Sequence, residues 1–468
     1  MLKLSREEMQ AFGYRVIDLI VDHYETIADK RVTNRKSRDE LEKLLRAQIP
    51  AKGSSPADVL QEFQTKVQSA MMHPDHPRFF SFIPSPSNFV GVMADLLACG
   101  LNVFAGTWVE ASGPAEIELL TIDWLRSECG LPAEAGGLFV SGGSVANITA
   151  IATARHIHTD GQMDEAVVYC SDQTHSSIER GVRILGYQRD QFRKIPSDDR
   201  FRIDLASLKR HVEMDRSAGR KPFCVVANAG TTNTGAIDPL SALAEFCNEQ
   251  NLWLHVDGAF GAAAVFCERG KELLKGLDKV HSLSMDPHKW LFQPFEIGCI
   301  LVRNRSWLKQ TFQILPEYMK DVESGGEEVN FCDYGIQLTR SFRALKLWMS
   351  LKVFGSEAIS AAIEHSFQMA EHAGELLAGM KNWEVVTPAQ MAIITFRYAP
   401  GRMSLAEANE MNRTIAMRMT DDGFALVLTT EIRGKTVLRF CPINPRTTEE
   451  DIAKTLTKLD EIARSIDR

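Results

Sequence analysis

Met9, Phe12, Val16, Leu19, Ile20 and His23 recur at an approximately helical period behind Ser5 and Glu8, which have the spacing of a capping box, so the chain is expected to open with an amphipathic helix. Ser37 and Glu40 repeat the cap signature. Ser55 followed by Pro56 starts a third helix, because proline fits a first turn where its missing N–H is harmless. A charged connector near Lys30 to Arg38 separates the first two. Helices this thin do not fold alone, and their apolar stripes need another surface, either the main domain or a second subunit.

From about residue 90 to 355 helical patterns alternate with short apolar runs, the clearest being Ala166 to Cys170, Phe223 to Asn228, Leu252 to Asp257 and Gly298 to Val302. Leu240, Leu243, Ala244 and Cys247 share one helical face between two of them. That alternation predicts an α/β fold with a mainly parallel sheet and ligands at the carboxyl ends of its strands, near Gly142, Asn228, Asp257 and Lys289. Beyond residue 356 come a helical pattern around His365 to Met380, strand-like Ala392 to Tyr398, Ala425 to Thr429 and Thr436 to Phe440, and a final helix after Thr448. A small α+β domain is expected there. The division is thus 1–84 (helical segment), 85–355 (large domain) and 356–468 (small domain). The proline- and aromatic-rich stretch from His73 to Pro86 reads as an ordered crossing, either a plain domain junction or the wall of an apolar pocket.

Charge narrows the function. With 53 basic and 61 acidic residues the 468-residue chain carries a net −8, which leaves no basic excess for general nucleic-acid binding. Charged residues occupy the start where a secretory signal needs an apolar run, and no apolar run is long enough to span a membrane, so a cytoplasmic location is expected. The nine cysteines form no CxxC pair and have no metal-ligand spacing. Packed, reduced thiols are expected, with no metal.

Three features point to one chemistry. Lys289, in Leu283-Ser284-Met285-Asp286-Pro287-His288-Lys289-Trp290, closes a strand-like run where its amine is placed to form a Schiff base with an aldehyde cofactor; alone, such a lysine is most often a surface charge. Asp257 follows a second run and leads into small residues, as a partner for a protonated pyridine nitrogen would. Ser141-Gly142-Gly143-Ser144 opens a helix-prone segment and makes a phosphate cradle. Cradle, acid and lysine in that order suit pyridoxal 5'-phosphate (PLP).

The chain resembles the group II PLP-dependent decarboxylases, the family of the aromatic-L-amino-acid decarboxylases. The resemblance is carried by His76-Pro77-Arg78-Phe79-Phe80, Ser141-Gly142-Gly143-Ser144, Ser171-Asp172-Gln173-Thr174-His175-Ser176-Ser177, Gly230-Thr231-Thr232-Asn233-Thr234-Gly235, His255-Val256-Asp257 and Asp286-Pro287-His288-Lys289-Trp290. It implies a fold-type I architecture and a homodimer with active sites at the subunit interface. Residue by residue, it implies that Lys289 bears the cofactor, that His288, Gly143 and Ser144 hold its phosphate, and that Asp257 pairs with the ring nitrogen. Ala259 would pack on one ring face and His175 stack on the other; Thr232 would supply a hydroxyl contact and Asp238 would support Asp257. Tyr318 is the candidate proton donor to Cα, on a loop that in the family reaches the neighbouring subunit.

Phe82, Ile83, Pro84 and Phe104 match positions that line the side-chain pocket, and their apolar character suits an aromatic substrate, with Thr339 at a further pocket position. Gly106, Thr339 and Ser341 depart from the family pattern, so Tyr, DOPA, Phe and Trp are not ranked. The expected activity is decarboxylation of an aromatic L-amino acid to an amine. The alternatives are an acidic-amino-acid decarboxylase, an aldehyde-forming enzyme, an aminotransferase and a regulatory relative that keeps the fold.

Overall fold

The computed structural model describes residues 3–314 and 328–467. Its centre is a seven-stranded sheet of β1 (Gly136–Val140), β2 (Ala166–Ser171), β3 (Phe192–Ile195), β4 (Lys221–Asn228), β5 (Trp253–Asp257), β6 (Ser282–Met285) and β7 (Gly298–Val302), in the order β1-β7-β6-β5-β4-β2-β3. Successive residues along a strand face opposite sides, so alternate positions enter different cores. Val167, Tyr169, Val225 and Ala227 join one apolar cluster, while Val168, Cys170, Cys224 and Val226 join another. Burial on both faces explains why these strands read as continuous apolar runs. Cys170, Cys224 and Cys299 are buried within them as packed thiols.

The sheet is parallel from β3 to β6, as the alternation predicts, but β7 runs antiparallel to both β1 and β6. Gly298, the first residue of β7, therefore pairs with Val140, the last of β1. In the parallel part, Asn228 pairs with Asp257 and Asp257 with Ser284, so one row of polar side chains crosses the carboxyl edge.

A second, antiparallel sheet has the order β10-β11-β9-β8, formed by β8 (Trp383–Gln390), β9 (Ile393–Tyr398), β10 (Thr429–Ile432) and β11 (Lys435–Phe440). The helices Ala344–Ala378, Leu405–Asp422 and Glu449–Ile466 pack on its core through Met369, Ile415 and Leu456. The expected strand from Ala425 to Thr429 is displaced: β10 begins only at Thr429. Leu426 instead makes an isolated bridge to Phe79, its carbonyl accepting from Phe80 N at 3.0 Å. The crossing segment takes those backbone groups before the hairpin begins. Helix Ala344–Ala378 bends at Gly355, whose φ of 79° only glycine adopts readily.

At the other end, helices Arg6–Thr26 and Arg38–Leu45 start on the expected capping boxes, and Pro56–Glu62 starts on Ser55. None of the three buries a residue, and Met9 is 55 % exposed. Among the described residues no helix is long and apolar enough to cross a membrane.

Candidate active site

The carboxyl edge of the large sheet opens into a cavity of about 330 Å³, bordered by Gly142, Gly143, Ser144, His175, Thr232, Asp257, Ala259, His288 and Lys289. Residues read from widely separated motifs thus meet in one place. Lys289 does not end its strand, as the sequence suggested. It lies four residues past Met285, the end of β6, in a turn closed by Lys289 N donating to the Asp286 carbonyl at 2.9 Å. Its Nζ sits 2.8 Å from Asp286 Oδ2.

Asp257 ends β5, almost wholly buried, and accepts three hydrogen bonds: from Asn147 Nδ2 at 3.1 Å, Ser284 Oγ at 3.1 Å and Ala259 N at 3.2 Å. The carboxylate only accepts, so it fixes the Asn147 amide with nitrogen toward Asp257 and oxygen toward His255 Nε2, 3.0 Å away. That oxygen needs a donor, so His255 carries its proton on Nε2. Its Nδ1 then accepts from Ser282 Oγ at 2.9 Å, and Ser282 in turn accepts the Trp253 indole N–H at 2.8 Å. Burial pushes His255 down to about 4, which keeps it neutral in this chain of bonds.

His175 caps helix Ser176–Ile184, and its Nδ1 accepts from Ser177 N at 3.2 Å, which leaves the proton on Nε2. His288 Nδ1 accepts from Ile297 N at 3.2 Å, with the same consequence. Burial lowers both imidazoles from their ordinary value, so each is a neutral N–H donor. Asp238 departs from its expected part. It accepts from Asn228 N, Asn228 Nδ2 and Ile203 N at 2.7, 2.8 and 2.6 Å, and so props Asn228 and, through it, Thr174 rather than Asp257. Burial raises its carboxyl to about 6 despite those bonds.

The cradle is built by absence of side chains. A Cβ on Gly143 would stand 2.9 Å from Ala259 Cβ and 3.0 Å from Asp286 Oδ2, and one on Gly298 would stand 2.4 Å from the Gly142 backbone. Helix Gly143–Thr159 begins here, so its leading N–H groups have no intrahelical carbonyl and favour an anion. Cradle, acceptor carboxylate and amine fit a phosphorylated pyridine aldehyde.

The proposed side-chain pocket residues do not border this cavity. Phe82 is exposed, Ile83 half-buried and Pro84 buried; the Phe82 carbonyl accepts from Arg439 Nη1, and Arg439 Nε donates to Thr232 O at 2.7 Å, which ties the crossing to the cavity edge. Phe104 and Leu338, the latter next to exposed Thr339, stand against Gly106. A Cβ there would lie 2.5 Å from the Phe104 ring and 2.9 Å from Leu338 O, so Gly106 opens no free space. Tyr318 lies outside the described residues.

Sequence reading missed Asn147 and Asp286 as site residues. Asn147 follows Gly143 by one helical turn on the same face, a signal present in the sequence but silent without its partner. One trio among the described residues has metal-ligand distances, His23, His73 and Asp75. Its carboxylate is already engaged by His23 at 2.9 Å and approached by Arg446 at 3.9 Å, as a joint between the first helix and the crossing.

Comparison with known proteins agrees with this geometry. The chain is 46% identical over 467 residues to an aromatic-L-amino-acid decarboxylase of Bacillus atrophaeus, covering 99% of this chain and 97% of that one. It is 30% identical to a phenylacetaldehyde synthase of Arabidopsis thaliana, over 97% of this chain and 96% of that one. The crystal structure of Oryza sativa TDC with PLP and tryptamine superposes with a TM-score of 0.95 at 28% identity, covering 100% of this chain and 99% of that one. Residues 39–399 match the pyridoxal-dependent decarboxylase conserved domain. A glycine cradle, an acceptor carboxylate and a lysine gathered at one sheet edge are thus accounted for: the chain belongs to the pyridoxal-dependent decarboxylases, and its cofactor is pyridoxal phosphate.

Proposed function

We propose that the chain removes the carboxylate of an aromatic L-amino acid as CO2 and releases the corresponding amine. The convergence of Gly143, Asp257 and Lys289 on one cavity carries this reading, and the likeness to the Bacillus atrophaeus aromatic-L-amino-acid decarboxylase supports the substrate class. When bound, the cofactor supplies the electron sink for the pair left behind by CO2. In this reading Gly143, Ser144 and the His288 N–H hold its phosphate, and Thr232 adds a polar contact. Asp257, fixed by Asn147 and Ser284, keeps a proton on the ring nitrogen. Ala259 and His175 confine the two ring faces, and Lys289 tethers the ring through its amine. Tyr318 returns a proton to Cα, and Phe82, Ile83, Pro84, Phe104 and Thr339, which lie off the cavity within one chain, form the side-chain wall only in the shared site of the homodimer.

The same reading includes a cytoplasmic homodimer with shared active sites, supported by the uncovered apolar residues of the first helices, Met9 and Phe12 among them. It keeps the division 1–84, 85–355 and 356–468, supported by the bend at Gly355. A panel of L-amino acids assayed for CO2 and amine tests the activity. Aromatic substrates are expected to turn over in preference; preference for glutamate or aspartate sinks the assignment. The likeness to a phenylacetaldehyde synthase favours a second reading, aldehyde formation. Under the first reading Tyr318→Phe lowers amine and raises aldehyde and ammonia, whereas an unchanged product ratio removes Tyr318 from the mechanism.

A further inference from the structure

His255 lies in the middle of β5, wholly buried and off the cavity border, yet two hydrogen bonds join it to the acid that borders the cavity. Its Nε2 meets Asn147 Oδ1 at 3.0 Å, and Asn147 Nδ2 meets Asp257 Oδ2 at 3.1 Å. Behind it, Ser282 Oγ stands 2.9 Å from His255 Nδ1 and 2.8 Å from the Trp253 indole nitrogen. All these groups are buried, so each depends on its partners in the chain. The ends of the chain cannot be reversed. An indole N–H only donates and a carboxylate only accepts, so the protons between them point toward Asp257.

A second branch leaves from Asn147. Its amide nitrogen also reaches Ser177 Oγ at 3.1 Å, and Ser177 Oγ is 2.9 Å from His175 Nδ1. Having accepted from Asn147, Ser177 gives its own proton to that ring nitrogen, which keeps the His175 proton on Nε2. One amide thus serves both the acid and the histidine at the cavity, and its orientation settles both.

The two oxygens of Asp257 are not served alike. Ser284 Oγ and Ala259 N both donate to Oδ1, at 3.1 and 3.2 Å, whereas Asn147 is the donor to Oδ2 among the described residues. Turning the Asn147 amide over replaces that donor by an oxygen, and two acceptors then face each other in a buried place. The conflict is relieved when Asp257 takes a proton. A carboxylic acid there no longer keeps a proton on a pyridine nitrogen. The Nε2 proton of His255 opposes the turn, because a reversed amide would aim its own N–H groups at that donor.

We propose, on the basis of the cofactor reading above, that His255 is a positioning residue for the reaction: its Nε2 proton locks the Asn147 amide, and the locked amide keeps Asp257 an anion and the cofactor's ring nitrogen protonated. No proton travels along the chain. His255 acts through the direction of its hydrogen bond, two bonds away from the carboxylate it governs.

The test loads the full chain with pyridoxal phosphate isotope-labelled at its ring nitrogen and reads the nitrogen magnetic resonance, which separates a protonated from a bare pyridine nitrogen. Wild-type protein is expected to show the protonated position, with the cofactor trapped by borohydride at Lys289. His255→Leu removes the donor, and its resonance is expected to move to the bare position while cofactor affinity falls by about tenfold. His255→Asn, a second variant that retains a polar group toward Ser282 but stops short of Asn147, is expected to show the same move. His255→Gln sets an amide N–H in the place of Nε2 and is expected to restore the protonated position. A protonated resonance in the Leu or the Asn variant overturns the proposal even where affinity drops, because the loss is then structural. A Gln variant that moves as far as Leu overturns it too. A bare ring nitrogen in the wild type, or no trapping at Lys289, overturns the underlying cofactor reading instead, which separates the two failures.

Discussion

Asn147 gives its amide nitrogen to Asp257 across 3.1 Å and its oxygen to His255 across 3.0 Å, so one side chain sets the hydrogen-bond direction of both neighbours. Replacing it with leucine leaves a buried imidazole N–H and part of a buried carboxylate without partners. Asn147→Leu is expected to cost about 1–3 kcal/mol of stability in urea unfolding and to weaken PLP binding measured by absorbance titration. Wild-type values for both would show that Asn147 does not hold Asp257.

Acid should weaken the protein through its buried histidines. His76 and His255 are fully buried and each is held at about 4 by burial, against about 6.5 when unfolded. Above about pH 6.5 both states are neutral and the contribution is whole. As pH falls toward 4 the unfolded chain takes protons that the folded chain refuses, a loss of about 3 kcal/mol for each. Asp238, raised to about 6, acts in the opposite sense, since the folded state takes its proton first. Two histidines outweigh one carboxyl, so the urea midpoint is expected to fall between pH 7 and about pH 4.5. A midpoint that is level or rises contradicts this balance.

Gly143 leaves no room for a methyl group. Gly143→Ala would press Ala259 and Asp286 at 2.9 and 3.0 Å, and overpacking of this kind costs about 1–3 kcal/mol. Cofactor affinity is expected to fall by about tenfold or more, read by equilibrium titration. An unchanged affinity would separate the glycine cradle from phosphate binding.

Glu118 and Arg340 form an ion pair with 0% and 1% side-chain exposure, and Arg340 also donates to Ala105 O at 2.9 Å and Phe139 O at 2.8 Å. It stitches β1 to the segment that carries Phe104 and Gly106. Glu118→Ala leaves a buried guanidinium without its counter-charge, and a loss of about 3–5 kcal/mol in denaturant unfolding is expected. A loss below about 1 kcal/mol would show that water or a shift of Arg340 compensates.

What the sequence disclosed depended on how local the cause was. Ser5–Glu8 and Ser37–Glu40 were legible because a capping box is closed within four residues. The inner strands were legible because both faces are buried, and Gly143, Asp257 and Lys289 because each belongs to a motif. The direction of β7 was not, since a five-residue apolar run reads the same in either orientation. The run from Ala425 carried strand character, but the backbone of Leu426 within it was claimed by the crossing segment, far away in sequence. Asn147 and Asp286 gained their roles only from what stands opposite them in space.

The reversed β7 has a bearing on how this enzyme tolerates change. Its first residue is laddered to the end of β1, and Cys299 beside it is laddered to the end of β6, so the connection 286–297 is clamped at both feet. Substitutions inside that arch alter chemistry while the span stays fixed. An insertion or deletion between those feet is expected to displace the amine of Lys289 from the glycines.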